Sequence, residues 1–257
     1  MPKLGGEMFS SAIKGLQNFG FSAIRTDHLG ATEYTVVSIL IDVTGSVGGW
    51  ETELRNALIA AVDACKKSPR SNNLLLRVAI FSTAQPNNVN ELHGFMPLVE
   101  IDPDKIYPPF RTSGQTPLYD AAFSAVGATV AYGEHLIKDD FSANGIVFII
   151  TDGCEYPPPP NNLSTATPAM IKKEILSAVK DEKLESLVTV LIGINAKEVQ
   201  QELMVFQTEA GIDKYIDVAD ATKGKLAKLA EFVSQSISSQ SQALGTGGPS
   251  KNIAATI

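Results

Sequence analysis

Two apolar runs that each end in an aspartate constrain this chain more than any other feature. Thr35-Val36-Val37-Ser38-Ile39-Leu40-Ile41 leads into Asp42-Val43-Thr44-Gly45-Ser46, and Gly145-Ile146-Val147-Phe148-Ile149-Ile150 leads into Thr151-Asp152-Gly153. Continuous rather than alternating hydrophobicity, as from Ile146 to Ile150, implies burial on both faces, the situation of a central parallel strand. Ligands of open parallel sheets bind beyond the carboxyl ends of the strands, so Asp42 and Asp152 are expected to meet in one crevice. A third segment, Thr112 to Ala122, should open a helix there. Thr116 suits the N-cap, Pro117 the first helical position and Asp120 the first turn.

The remaining pattern predicts an α/β fold: a doubly wound, mostly parallel central sheet with one antiparallel edge strand and helices on both faces. Helices are expected over residues 49–67, 117–137, 168–181, 196–210 and 222–236, and strands over 74–81, 146–151, 187–194 and 215–218. A strand over 92–99, joined to 74–81 by a short polar turn, should be its antiparallel neighbour and form the edge hairpin. The segment Asp102 to Ser113, with Pro103, Pro108 and Pro109, reads as a loop. We divide the chain into an extension over 1–32, one domain over 33–238 and a flexible tail over 239–257. Met8, Phe9, Ala12, Ile13 and Leu16 fall at helical spacing and predict a short amphipathic helix from Glu7 to Phe19. The tail is rich in Ser, Gln and Gly, a composition that buries too little apolar surface to order itself.

With 257 residues, 44% hydrophobic and 19% charged, the chain can build one substantial core. A formal net charge of −7 argues against a nucleic-acid footprint and against anionic lipid surfaces. The amino terminus lacks the apolar core of a signal peptide, and no apolar run approaches the roughly 18 residues that span a bilayer. Together with two cysteines on separate elements, Cys65 and Cys154, this predicts a cytoplasmic protein with free thiols.

The chemistry expected of the crevice follows from its donors. Asp42, Thr44, Ser46, Thr116 and Asp152 offer two carboxylates and three hydroxyls, enough to neutralise a divalent ion without surplus. A hard cation prefers such oxygens and keeps part of its water, which points to Mg2+, with Mn2+ a possible substitute. Any one of these residues alone reads equally well as a helix cap. Matching donors on three separate loops are not explained by capping.

Asp42-x-Thr44-x-Ser46, Thr116 in Gly114-x-Thr116-x-Leu118, and Thr151-Asp152-Gly153, in that order, resemble the metal-ion-dependent adhesion site of von Willebrand factor A domains. The stretch from Leu75 to Ala122 is most similar to stand-alone bacterial members of the tellurite-resistance type. The resemblance implies that Thr44 and Ser46 bind the ion directly, Thr116 directly or through water, and Asp42 and Asp152 largely through bound water. It also implies an open coordination position completed by an Asp or Glu of a protein partner, in bacterial relatives often an ATPase, a kinase or an operon-encoded assembly. Val47, Gly48, Gly49, Ser113, Gln115, Glu155 and Tyr156 flank the ligands and are candidate rim residues. Tyr156-Pro157-Pro158-Pro159-Pro160 reads as a stiff extended spacer beside the crevice.

Two rival functions have weaker signals. Thr44-Gly45-Ser46-Val47-Gly48 nearly copies a nucleophile elbow, but Thr replaces the first glycine. A hydrolase triad in that order needs a histidine after its acid, whereas His28, His93 and His135 all precede Asp152. A phosphatase-like Asp-x-Asp fails at Thr44, and the phosphate-loop and dinucleotide glycine patterns are absent. A metal-dependent hydrolase thus stands as one alternative. A scaffold in which the ion only stiffens the loops is the other.

Overall fold

The computed structural model of the chain describes residues 8–12 and 19–247. The run that ends in Asp42 forms β3 (Glu33–Asp42), and the run that ends at Thr151 forms β6 (Ser142–Thr151). The two are parallel neighbours, with Val37 opposite Ile146 and Ile41 opposite Ile150. From Tyr34 to Asp42 every residue of β3 is buried, as an unbroken apolar pattern requires of a central strand.

On one side of this pair, β3 is parallel to β4 (Leu74–Phe81), which is antiparallel to β5 (Val89–Pro97). On the other side, β6 is followed in parallel by β7 (Ser186–Ile194) and β8 (Lys214–Val218). Two further strands, β1 (Met8–Ala12) and β2 (Gly20–Ile24), lie outside β5 and complete an eight-stranded sheet in the order β1-β2-β5-β4-β3-β6-β7-β8. The sheet is mostly parallel toward its centre and antiparallel toward the β1 edge.

The amino-terminal strands correct two expectations. The antiparallel strand β5 is not an edge, because β2 pairs with it in parallel at Ala23 and Phe95, and β1 pairs antiparallel to β2. Met8 to Ala12 is strand rather than helix. The free backbone groups of β5 and β2 offer ladder partners, and Phe9 seats its ring against Phe21, Tyr132 and His135, at centroid distances of 6.3, 6.2 and 5.0 Å. Residues 13–18, which carry the rest of the helical pattern, lie outside the described residues.

Six helices are described: α1 (Glu51–Lys66), α2 (Pro103–Ile106), α3 (Leu118–Lys138), α4 (Pro168–Lys180), α5 (Gln200–Glu209) and α6 (Lys223–Gly245). The α2 turn lies within the segment expected to be loop. Successive strand residues point to opposite faces, and β3 divides its side chains accordingly. Val36 and Leu40 enter a core with Phe123 and Val126 of α3 and Phe206 of α5, whereas Val37, Ile39 and Ile41 enter a second core with Leu58 of α1 and Leu229 of α6.

Helix α6 runs through Gly245, well past the expected end at Ser236. Ile237, Gln240, Ser241, Ala243 and Leu244 are buried along its last turns. Small side chains let this end approach closely: Arg70 Nε donates to Ser241 Oγ at 3.1 Å, and Asn144 Nδ2 donates to the Gln240 carbonyl at 3.1 Å. Of the expected tail, residues 239–247 are therefore packed helix, and 248–257 lie outside the described residues. No helix among the described residues is long and apolar enough to cross a membrane.

Candidate metal centre

The register of β3 and β6 places Thr151 one step beyond the Ile41–Ile150 pair, beside Asp42. Asp42 is fully buried and both its oxygens are engaged. Oδ1 accepts the Thr44 backbone N–H at 2.8 Å, and Oδ2 accepts the Thr151 hydroxyl at 2.6 Å. The Thr151 oxygen also receives the Gly153 N–H at 3.1 Å, which ties the two strand ends together. From Asp42 the chain turns through a short 3-10 segment, Gly45–Val47, that carries Ser46 to the surface. Ser46 Oγ lies 3.1 Å from Thr44 Oγ1 and donates to Asp152 Oδ1 at 2.8 Å.

Thr116 arrives from the third loop, which is strapped to the first by backbone bonds. Ser113 N–H donates to the Val43 carbonyl at 3.0 Å, and Gly45 N–H to the Gly114 carbonyl at 3.1 Å. Gly114 permits this approach. Its φ is +82°, and a β-carbon there would sit 2.8 Å from Thr83 Oγ1 and 2.9 Å from the Ala84 nitrogen. Thr116 itself is buried, and a β-carbon on Gly153 would lie 3.4 Å from its hydroxyl oxygen. Hydrogen bonds thus join Asp42, Thr44, Ser46 and Asp152 at the ends of β3 and β6, and Thr116 lies beside Gly153 of the same loop.

The expected capping role of Thr116 is corrected. Helix α3 starts at Leu118, and its free N–H groups are met from elsewhere: Tyr119 N–H donates to Glu155 Oε2 at 2.9 Å and Asp120 N–H to Ser164 Oγ at 3.3 Å. That arrangement leaves the Thr116 hydroxyl for the crevice. Asp120 is buried in the first turn, where Oδ1 accepts the N–H groups of Thr165 and Ala166 and Oδ2 accepts Asn88 Nδ2, so it anchors the neighbouring loop rather than an ion.

Electrostatics make the pair of carboxylates costly without a counter-charge. Burial, and then the Asp152 charge, push the Asp42 carboxyl up to about 7 against the hydrogen bonds from Thr151 and Thr44. Asp152 is raised by burial and held back by Ser46. A divalent cation would relieve both. The donor set fits such an ion: hydroxyls and a carboxylate oxygen lie within hydrogen-bond reach of one another, and Asp42, with both oxygens committed, suits contact through water. Among the described residues no three His, Cys, Asp or Glu side chains cluster as a metal site.

The rim is narrower than its sequence neighbours imply. Gly48, Gly49, Ser113, Gln115 and Tyr156 are exposed, but Val47 is buried in the second core and Glu155 is buried under the start of α3. The four prolines do not form one extended segment. Asn161 N–H closes a turn onto the Pro158 carbonyl at 3.1 Å, which folds the run toward α5. Thr151 holds Asp42 through its hydroxyl, a role that its motif does not announce. Its signal is the register, which a single sequence does not display. None of the histidines serves the crevice. His93 is buried with Nε2 3.0 Å from the Tyr107 hydroxyl and is held neutral by burial, its value lowered to about 4; His135 packs on Phe9, and His28 is exposed.

Comparison with known proteins bears on the fold. No family model matches the chain, and no curated protein matches it. Among solved structures it is similar to the PilB minor pilin from Streptococcus sanguinis, with TM-score 0.55 and 14% identity over 92% of this chain and 68% of that one. It is also similar to the pilus adhesin SpaC from Lactobacillus rhamnosus GG, with TM-score 0.54 and 11% identity over 82% of this chain and 31% of that one. Proximal thread matrix protein 1 from the mussel byssus follows at TM-score 0.48 and 15% identity, over 80% of this chain and 47% of that one, too slight a likeness to argue from. This chain therefore spans about two thirds of the pilin and about a third of the adhesin.

These findings correct the assignment to the von Willebrand factor A family and to its tellurite-resistance members. No family model supports it, and the structural likeness falls on pilus proteins at identities that show the fold alone. Asp, Thr, Ser and Gly recur at strand ends of many parallel sheets for capping and turning, so three short motifs fix loop chemistry better than ancestry.

Proposed function

We propose that the crevice beyond β3 and β6 holds a divalent cation, Mg2+ with Mn2+ as a substitute, and that the ion captures an Asp or Glu carboxylate of a protein partner. In this reading Thr44, Ser46 and Thr116 bind the ion, while Asp42 and Asp152 supply the charge, largely through water. The observation that carries it is Ser46 Oγ, 3.1 Å from Thr44 Oγ1 and 2.8 Å from Asp152 Oδ1, beside a buried aspartate that has no positive partner among the described residues. The finer reading of the sheet as doubly wound rests on the separate cores that α3 and α1 make with β3, and in such sheets this crevice is where ligands bind.

The activity is proposed to be binding without turnover. Ser46 donates to a carboxylate, and no histidine stands near it to act as a general base. Two free thiols, Cys65 and Cys154, support a cytoplasmic location. The test is crosslinked capture from the native cell in Mg2+ and in chelator, with Thr116→Ala as control. The reading expects a partner held by the wild type in Mg2+ only and lost by the variant. A partner that stays with Thr116→Ala makes the ion structural, and ester or phosphate turnover abolished by Ser46→Ala makes the chain a hydrolase.

A further inference from the structure

A groove of about 260 Å³ adjoins the crevice, between the proline turn and α5. It begins at Cys154, two residues past Asp152, and Tyr119, three residues past Thr116, lies in its wall. Its α5 side is a single stripe: Glu202, Val205, Phe206 and Glu209 fall at the spacing of one helix face. Phe206 stacks on Tyr119 with centroids 5.1 Å apart, Pro159 forms the opposite wall, and Val205 is 46% exposed. The result is an apolar floor with Glu202 and Glu209 at the ends of the α5 stripe; the third carboxylate of the lining, Glu155, is buried and accepts the Tyr119 and Ser164 N–H groups.

That composition selects its occupant. Among the described residues no Lys, Arg or His lines the groove, and neither Glu202 nor Glu209 forms an ion pair. Seven residues of helix separate the glutamates by roughly 10 Å, too far for one metal ion to bridge. A purely apolar guest would cover the carboxylates without compensating their charge. A lysine or arginine fits both parts, because its methylene stem lies on apolar surface while its head reaches a carboxylate.

We propose that the groove seats a Lys or Arg side chain of the same protein partner, a few residues from the acid that reaches the ion. The inference rests on the proposed metal reading and deepens it: the recognised element is an acidic residue followed or preceded at short range by a basic one. Cys154 and Glu155 of the groove follow Asp152 and Gly153 directly in the chain, and Tyr156 N–H donates to the Thr116 carbonyl at 2.9 Å, so the groove lies next to the loops that carry Asp152 and Thr116.

The test is selection of a displayed random peptide library with one fixed Asp on the full chain in Mg2+, repeated in chelator and on the double variant Glu202→Gln/Glu209→Gln. Enrichment of Lys or Arg by about tenfold within a few positions of the Asp, lost on the double variant, is the expected result. Selected peptides that need Mg2+ and Asp but show no basic preference, or keep it on the variant, overturn the groove and leave the metal reading intact. If Asp and Mg2+ prove irrelevant, the metal reading fails. The groove is then judged alone by NMR titration with acetyl-arginine-amide, which should shift Tyr119 and residues 202–209 in the wild type only. Absence of those shifts overturns the inference.

Discussion

Replacing Asp42 by asparagine keeps the shape of the crevice and removes a charge whose cost can be worked out. In the ion-free protein the Asp42 carboxyl is raised from the usual 3.8 to about 7, by burial first and by the Asp152 charge second. A folded value above the unfolded one means that the native state holds its proton longer. The associated stability is complete below about pH 3.8 and drains away as pH rises to about 7. Three pH units at about 1.4 kcal/mol each put the cost of ionising Asp42 near 4 kcal/mol at pH 8. Asparagine carries none of that cost. Its Oδ1 still accepts the Thr44 N–H, and its Nδ2 donates to Thr151 Oγ1, whose own proton has the Gly153 carbonyl at 2.8 Å. Allowing about 1–2 kcal/mol for the altered hydrogen bonds at either pH, the variant should be more stable than the ion-free wild type by about 2–3 kcal/mol at pH 8 and less stable than it by about 1 kcal/mol at pH 4. It should also lose the response to Mg2+. Urea unfolding in chelator at the two pH values reads the difference. A variant destabilised equally at both would refute the reasoning, because the buried charge would then not be the source of the cost.

Three other outcomes follow from the same geometry. Gly114→Ala places a β-carbon against Thr83 and Ala84 at positive φ, so thermal unfolding should show a loss of about 1–3 kcal/mol, and calorimetry a weaker Mg2+ affinity as Thr116 is displaced. Glu91→Ala strands the fully buried Arg77, whose Nε donates to Glu91 Oε1 at 2.6 Å, and removes the acceptor that holds the Ser22 N–H of β2. Urea unfolding should fall by about 3–5 kcal/mol. Truncation after Ser236 strips Ile237 from the second core and removes the buried Ala243 and Leu244, and should lower stability by at least about 2 kcal/mol.

What the sequence conveyed depended on how locally each feature is determined. The ends of β3 and β6 were legible because an unbroken apolar run terminated by Asp has few other structural solutions, and parallel pairing then brings Asp42 and Asp152 together. Met8, Phe9, Ala12, Ile13 and Leu16 fit a period of 3.6, but Met8 to Ala12 lies along the edge of β2 and pairs there as strand. Glu155 read as a rim residue by proximity to Asp152, but its burial depends on the distant start of α3, whose Tyr119 N–H it accepts. Ser236 to Gly245 lacked an apolar stripe strong enough to announce a helix. Its small residues gain their order from Arg70, Asn144 and the close approach of α1.

The most direct test of the metal reading is an anomalous difference map from crystals grown with Mn2+. One peak is expected in the crevice, about 2.1 Å from Thr44 Oγ1 and Ser46 Oγ, and none in Asp42→Asn. A crevice without a peak in the presence of millimolar Mn2+, or a peak bound elsewhere and unaffected by that substitution, would contradict it.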